Sequence, residues 1–186
     1  MGVEFQNDPV VKSFVMAALD FCGLIDRKAR CSNRRFFKKV LTATVRLYSC
    51  GIALPDVRPE PGFKPAGEWF EKNKGLPIEE QLKQDPKLLE RAKQRQLIRP
   101  NIVRSLGGEL PYRMVFEPFK DEKAITATVS DDLEDIYLDV KEGLLMMKDQ
   151  KRISASTVWT WKFKLQIHWG GHAVNVMNAL HSLFVG

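Results

Sequence analysis

The 186-residue chain contains only three cysteines, Cys22, Cys31 and Cys50, and only three histidines. The cysteines are odd in number and widely spaced, with no CxxC pair. That argues against a disulfide framework and a cysteine-based zinc site, and it fits free thiols in a reducing cytoplasm. No apolar run approaches the roughly 20 residues that a membrane span requires, so no membrane association is expected. The opening MGVEFQND lacks a basic segment followed by an apolar one, and Gln6 stands where an N-myristoylation motif has Ser or Thr. GxGxxG, P-loop, GxSxG and HExxH patterns are all missing, as are internal repeats and low-complexity tracts. What remains is an ordinary globular composition, 44% hydrophobic and 28% charged, with a net charge of +6. One domain spanning residues 1–186 is expected, long enough to bury a core.

Proline and glycine cluster between Pro55 and Pro77, where they break the chain into an irregular segment. Phe63, Trp69 and Phe70 within it mark a loop packed onto the body, since a flexible linker has no use for three aromatics. Before it, the periodicity is helical. Asp8 and Pro9 suit a helix start, followed by Val11, Phe14, Val15, Ala18, Phe21, Cys22 and Ile25 at three- and four-residue steps. Ser32 or Asn33 opens a second helix with the stripe Phe37, Val40, Leu41, Thr44, Tyr48 and Ile52. The short connection favours an antiparallel pair.

Beyond the loop, Asp85-Pro86 starts a charged helix that should end near Arg99, before Pro100. Its apolar face is thin, which suggests a peripheral position. Asn101 to Leu106 reads as a second short helix closed by Gly107-Gly108. Tyr112, Met114 and Phe116 alternate with polar neighbours in a short extended segment ending at Pro118, and little regular β structure is expected.

Ser130 reads as the cap of a strong helix with the inward stripe Leu133, Ile136, Tyr137, Val140, Leu144 and Met147. Asp131, Asp135 and Glu142 then fall on the opposite, solvated side, with Asp132 and Asp139 on a flank. The last helix, Thr157 to Phe184, is apolar on two sides. Val158, Trp161, Leu165, Trp169, His172, Val176 and Leu180 share one face, and Trp159, Phe163 and Ile167 form another. Such a helix belongs in the middle of a bundle, with Gly170-Gly171 as a place for a kink or a close approach. The expected fold is all-α, a bundle of about five to seven helices around a central C-terminal helix.

Three segments together resemble a family of uncharacterised bacterial proteins, domain-of-unknown-function family 5063. They are LYSCGIALPDV (Leu47 to Val57), YRMVFEPF (Tyr112 to Phe119), and SDDLEDIYLDVKEGL with HWGGHAVNVMNALHSL (His168 to Leu183). The resemblance implies a mainly helical domain. It brings no activity and no catalytic residues with it.

Two constellations bear on function. DRKARCSNRRFFKK gathers Arg27, Lys28, Arg30, Arg34, Arg35, Lys38 and Lys39, and Arg35, Lys39 and Arg46 align on the outward side of the second helix. Such a basic ridge suits phosphates, an acidic protein, or the acidic helix of this chain or of a second copy in a homodimer. The leading expectation is therefore a non-catalytic cytoplasmic interaction module, with no cofactor. His168 and His172, four residues apart, are the alternative: two imidazoles on one side of a helix can share a metal ion, with Asp132 or Asp139 as a third ligand. The bland expectation for the pair is core packing. Cys31, among arginines, has the surroundings of a reactive thiol, whereas Cys22 and Cys50 read as inert packing.

Overall fold

Asp8 starts the first helix as its spacing predicts, accepting hydrogen bonds from the amides of Val10 and Val11 at 2.8 and 3.0 Å. The computed structural model describes residues 4–27, 33–63, 86–115, 119 and 123–185. Its elements are α1 (Pro9–Asp26), α2 (Asn33–Ala53), α3 (Pro86–Leu106), β1 (Pro111–Val115), β2 (Ala124–Thr128), α4 (Val129–Gln150), α5 (Ala155–Lys164), a π-helical turn (Leu165–Trp169) and α6 (Gly170–Val185). The result is one mostly helical domain. Its only β structure among the described residues, one isolated bridge aside, is the antiparallel β1–β2 hairpin, registered Tyr112 opposite Ala127.

The C-terminal helix is central. α5, the π turn and α6 run on without a break, and Trp161 and Trp169 are fully buried against Phe14 of α1, with ring centroids 5.0 and 6.4 Å away. Trp161 Nε1 donates to the Val140 carbonyl of α4 at 3.1 Å, so the largest core side chain has its polar atom satisfied. Trp159 and Phe163 stack on the second face at 4.5 Å, and Phe63 meets Trp159 edge-on at 5.9 Å. The described part of the irregular segment therefore does pack on the body, held also by Glu60, which accepts from the Ser156 amide. Trp69 and Phe70 lie outside the described residues.

Four expectations are corrected. α2 buries Phe36, Val40, Thr44 and Leu47, and leaves Ile52 exposed, so its stripe is turned from the one expected. α3 does not end at Arg99 but runs through Pro100 to Leu106. Proline removes one backbone bond and crowds the preceding turn; here Ile98, Ile102 and Leu106 are buried on either side of it and hold the helix together. Thr128, not Ser130, caps α4, accepting from the Asp131 amide at 3.2 Å. The fourth correction concerns the acidic face of α4 and defines the site.

Candidate functional site

The acidic face of α4 is solvated only in part: Asp131 and Glu142 keep contact with water, but four of its carboxylates are buried. Glu134 is 0% exposed, Asp139 2%, Asp132 3% and Asp135 9%. A buried carboxylate needs a compensating partner, and α3 supplies a row of them. Arg91, Arg95 and Arg99 stand at four-residue steps, so one face of α3 presents three guanidinium groups to α4. Arg95 Nε lies 2.6 Å from Glu134 and its Nη2 lies 2.5 Å from Asp135 Oδ1. Arg99 Nη1 reaches Glu134 at 3.1 Å and Asp131 at 3.2 Å, and Arg91 Nη1 reaches Asp139 at 2.8 Å. From the C-terminal helix, Lys164 Nζ bridges Asp139 at 3.0 Å and Glu142 at 2.6 Å. α3 is thus bound to α4 largely by charge, which explains its thin apolar face.

The histidines enter the same network. Nδ1 of His168 lies 2.6 Å from Asp139 Oδ2, and Nδ1 of His172 lies 2.7 Å from Asp132 Oδ1. An ionised carboxylate only accepts, so in each pair Nδ1 carries a proton, and in the neutral ring Nε2 keeps its lone pair. The two rings are 4.8 Å apart, edge to face. His172 Nε2 faces Asp135 Oδ2 at 3.7 Å, the oxygen of Asp135 that Arg95 does not take. Asp135, His168 and His172 each offer one ligand atom, and all three atoms lie within 4.8 Å of one another. Asp132 is fixed in turn by the Tyr112 hydroxyl of β1, which donates to Oδ2 at 2.5 Å.

Electrostatics follow the geometry. Burial alone would raise the Asp139 carboxyl, but the hydrogen bond from His168 and the charges of Lys164 and Arg91 outweigh it and hold the group well below the usual carboxylate range. Burial would lower His172, yet the Asp132 hydrogen bond and the charges of Asp132 and Asp135 raise it above the ordinary imidazole value. Burial and the bond to Asp132 raise the Tyr112 phenol, keeping it a donor. Among the described residues, four permanent cations, Arg91, Arg95, Arg99 and Lys164, pair with Asp131, Glu134, Asp135, Asp139 and Glu142 of α4 and with Glu109, while Asp132 meets His172 and the Tyr112 hydroxyl.

The π turn sets the histidine pair. His168 lies inside it and His172 one turn beyond, and a Cβ at Gly170 would meet the Leu165 carbonyl oxygen at 2.3 Å. A wide turn of this kind needs glycine there, and such bulges recur at functional sites.

The sequence-predicted residues divide cleanly. Asp132 and Asp139, expected as third ligands, each hydrogen-bond one histidine through Nδ1, and Asp135 is the carboxylate that faces Nε2 of His172. Arg91, Arg95, Arg99, Lys164 and Tyr112 were not anticipated in the site. The basic ridge takes no part in it: Arg27, Arg34, Arg35 and Lys39 are exposed on α1 and α2, and Arg46 pairs with Asp20 at 2.6 Å. α3 takes the place beside α4, whose acidic face is one of several partners expected for the ridge. Lys28 and Arg30 lie outside the described residues, as does Cys31. His181 is exposed on α6, away from the pair.

Fold and site together define a mostly helical protein with a buried carboxylate–arginine–histidine network between its third, fourth and last helices. The chain belongs to the family described as domain of unknown function (DUF5063), which matches residues 5–185. It is similar in fold to the crystal structure of protein BF1032 from Bacteroides fragilis, with a TM-score of 0.67 and 22% identity over 95% of this chain and 92% of that one. No curated protein matches it. No helix among the described residues is long and apolar enough to cross a membrane.

Proposed function

We propose that this protein binds a divalent transition metal through His168 Nε2, His172 Nε2 and Asp135 Oδ2. The observation that carries the reading is the pairing of each histidine's Nδ1 with its own buried carboxylate, at 2.6 and 2.7 Å, which leaves Nε2 of each neutral ring free to ligate, in a cluster whose third member is Asp135. Metal-binding histidines ordinarily hold their other nitrogen in this way, because it fixes the ring and raises its basicity. Ligands on one tetrahedral ion at 2.0–2.2 Å stand about 3.3–3.6 Å apart. The 3.7 Å between His172 and Asp135 is just above that spacing. His168, the more exposed of the two histidines, is the ring that closes the remaining gap.

Mixed imidazole and carboxylate ligands favour zinc, iron or manganese over calcium. Three protein ligands leave at least one position for water or a substrate atom, the arrangement of a working centre rather than a closed structural one. An ion held there would act as a Lewis acid. We place the protein in a bacterial cytoplasm, in keeping with its family resemblance and its free cysteines.

Isothermal titration of the metal-stripped protein with Zn²⁺ tests the reading. About one equivalent per chain should bind, with a loss of 100-fold or more in His172→Ala and about 10-fold in Asp132→Asn, where only the orienting carboxylate changes. Binding unaltered by a combined His168→Ala and His172→Ala change would refute it.

A further inference from the structure

A second site, sharing no residue with the network, lies between α1 and α2. α1 and α2 separate along their outer edges to leave a groove of about 600 Å³. Its floor is made of small or apolar groups, Ala17, Gly23, Leu24 and Ala43, with exposed Leu19 at its lip. Its walls are cationic: Arg27, Arg35, Lys38, Lys39 and Arg46 face it, against a single carboxylate, Asp20. All five belong to the basic cluster named from the sequence, and they line one concave surface with an apolar base.

Gly23 is a separate observation. It sits in the last turn of α1, which ends at Asp26. Nothing inside the molecule calls for it, because a Cβ built there meets no atom within 4 Å. A bare backbone opening on a groove is what a close external approach requires.

We propose that this groove docks an acidic amphipathic helix of a partner protein. A nucleic-acid backbone asks for cations alone and would leave the apolar floor unused. An amphipathic helix answers both features, with an apolar side chain over Gly23 and Ala43 and carboxylates on the two cationic walls. The site is separate from the histidine centre and does not depend on it.

The test is fluorescence anisotropy of the full chain with a labelled synthetic helical peptide of glutamate and leucine spaced to give one apolar face. A scrambled peptide of the same composition and a single-stranded DNA oligonucleotide serve as competing probes. The expected result is binding of the amphipathic peptide that weakens at least 10-fold in Lys39→Glu, in Gly23→Leu, and for the scrambled peptide. Gly23→Leu keeps its helix content by circular dichroism, because the space it enters is open and leucine favours helix over glycine. No peptide binding, binding indifferent to Gly23→Leu and to scrambling, or preferential binding of the oligonucleotide would each overturn the proposal.

Discussion

Asp139 accepts from His168 Nδ1 at 2.6 Å through one carboxylate oxygen, while the other takes Lys164 at 3.0 Å and Arg91 at 2.8 Å. One buried side chain thus ties the C-terminal helix to α3 through α4 and fixes the His168 ring through its Nδ1. Three buried acids of one helix divide the labour. Asp132 and Asp139 orient, and Asp135 faces the opening.

The ion pairs between α3 and α4 should matter more than surface pairs do, because Glu134 has no access to water. Removing Arg95 leaves Glu134 with Arg99 alone, and breaking a buried pair from one side costs about 3 kcal/mol. Arg95→Ala should lower the denaturant midpoint accordingly. The double variant Arg95→Ala with Glu134→Gln should recover part of the loss, since the stranded charge is gone. Urea unfolding of the four proteins measures the coupling.

The acid limb of stability should run through Asp139. Its folded carboxyl lies below the unfolded value, so its contribution is present above the ordinary carboxylate range and is lost as pH falls toward the folded value. Arg91→Ala weakens the depression and should move the midpoint of acid unfolding to higher pH. The test is an acid titration followed by circular dichroism. An unchanged midpoint would show that Arg91 contributes nothing to the ionised form.

Gly143 allows α4 to lie against Trp161, since an added Cβ would come within 2.1 Å of Trp161 Nε1. Gly143→Ala should destabilise by about 1–3 kcal/mol through overpacking. It should also change the near-ultraviolet circular dichroism of the tryptophans, because the indole can no longer reach the Val140 carbonyl.

Gly170→Ala separates the site from the scaffold. The added methyl meets the Leu165 carbonyl oxygen inside the π turn, which should force the turn to reorganise and shift His168 relative to His172. Zn²⁺ affinity should fall 10-fold or more while the far-ultraviolet spectrum stays helical. Titration calorimetry and circular dichroism on the same sample check both halves.

Much of the scaffold is legible in the sequence, because local chemistry and periodicity agree there. Asp8-Pro9 with the stripe from Val11 to Ile25 specifies α1, and the face of Val158, Trp161, Leu165, Trp169, Val176 and Leu180 specifies the buried side of the last helix, whereas Ile167 on the second apolar face is exposed. Pro100 misleads because the local rule for proline yields to tertiary anchoring by Ile98, Ile102 and Leu106. The acidic face of α4 misleads for a deeper reason. Carboxylates opposite an apolar stripe read as solvated unless a matching row of cations is noticed elsewhere. Arg91, Arg95 and Arg99 at four-residue steps were that row, on a helix whose thin apolar face then needed another explanation. The role of Tyr112 has no local signature, since it depends on the hairpin that brings β1 to the start of α4.

Anomalous diffraction from crystals grown with Zn²⁺ tests the central claim most directly. The account predicts an anomalous peak at bonding distance from His168 Nε2, His172 Nε2 and Asp135 Oδ2, with Asp139 and Asp132 still on the Nδ1 atoms. No peak between the histidines, or one bound through Nδ1 with the carboxylates displaced, would contradict it.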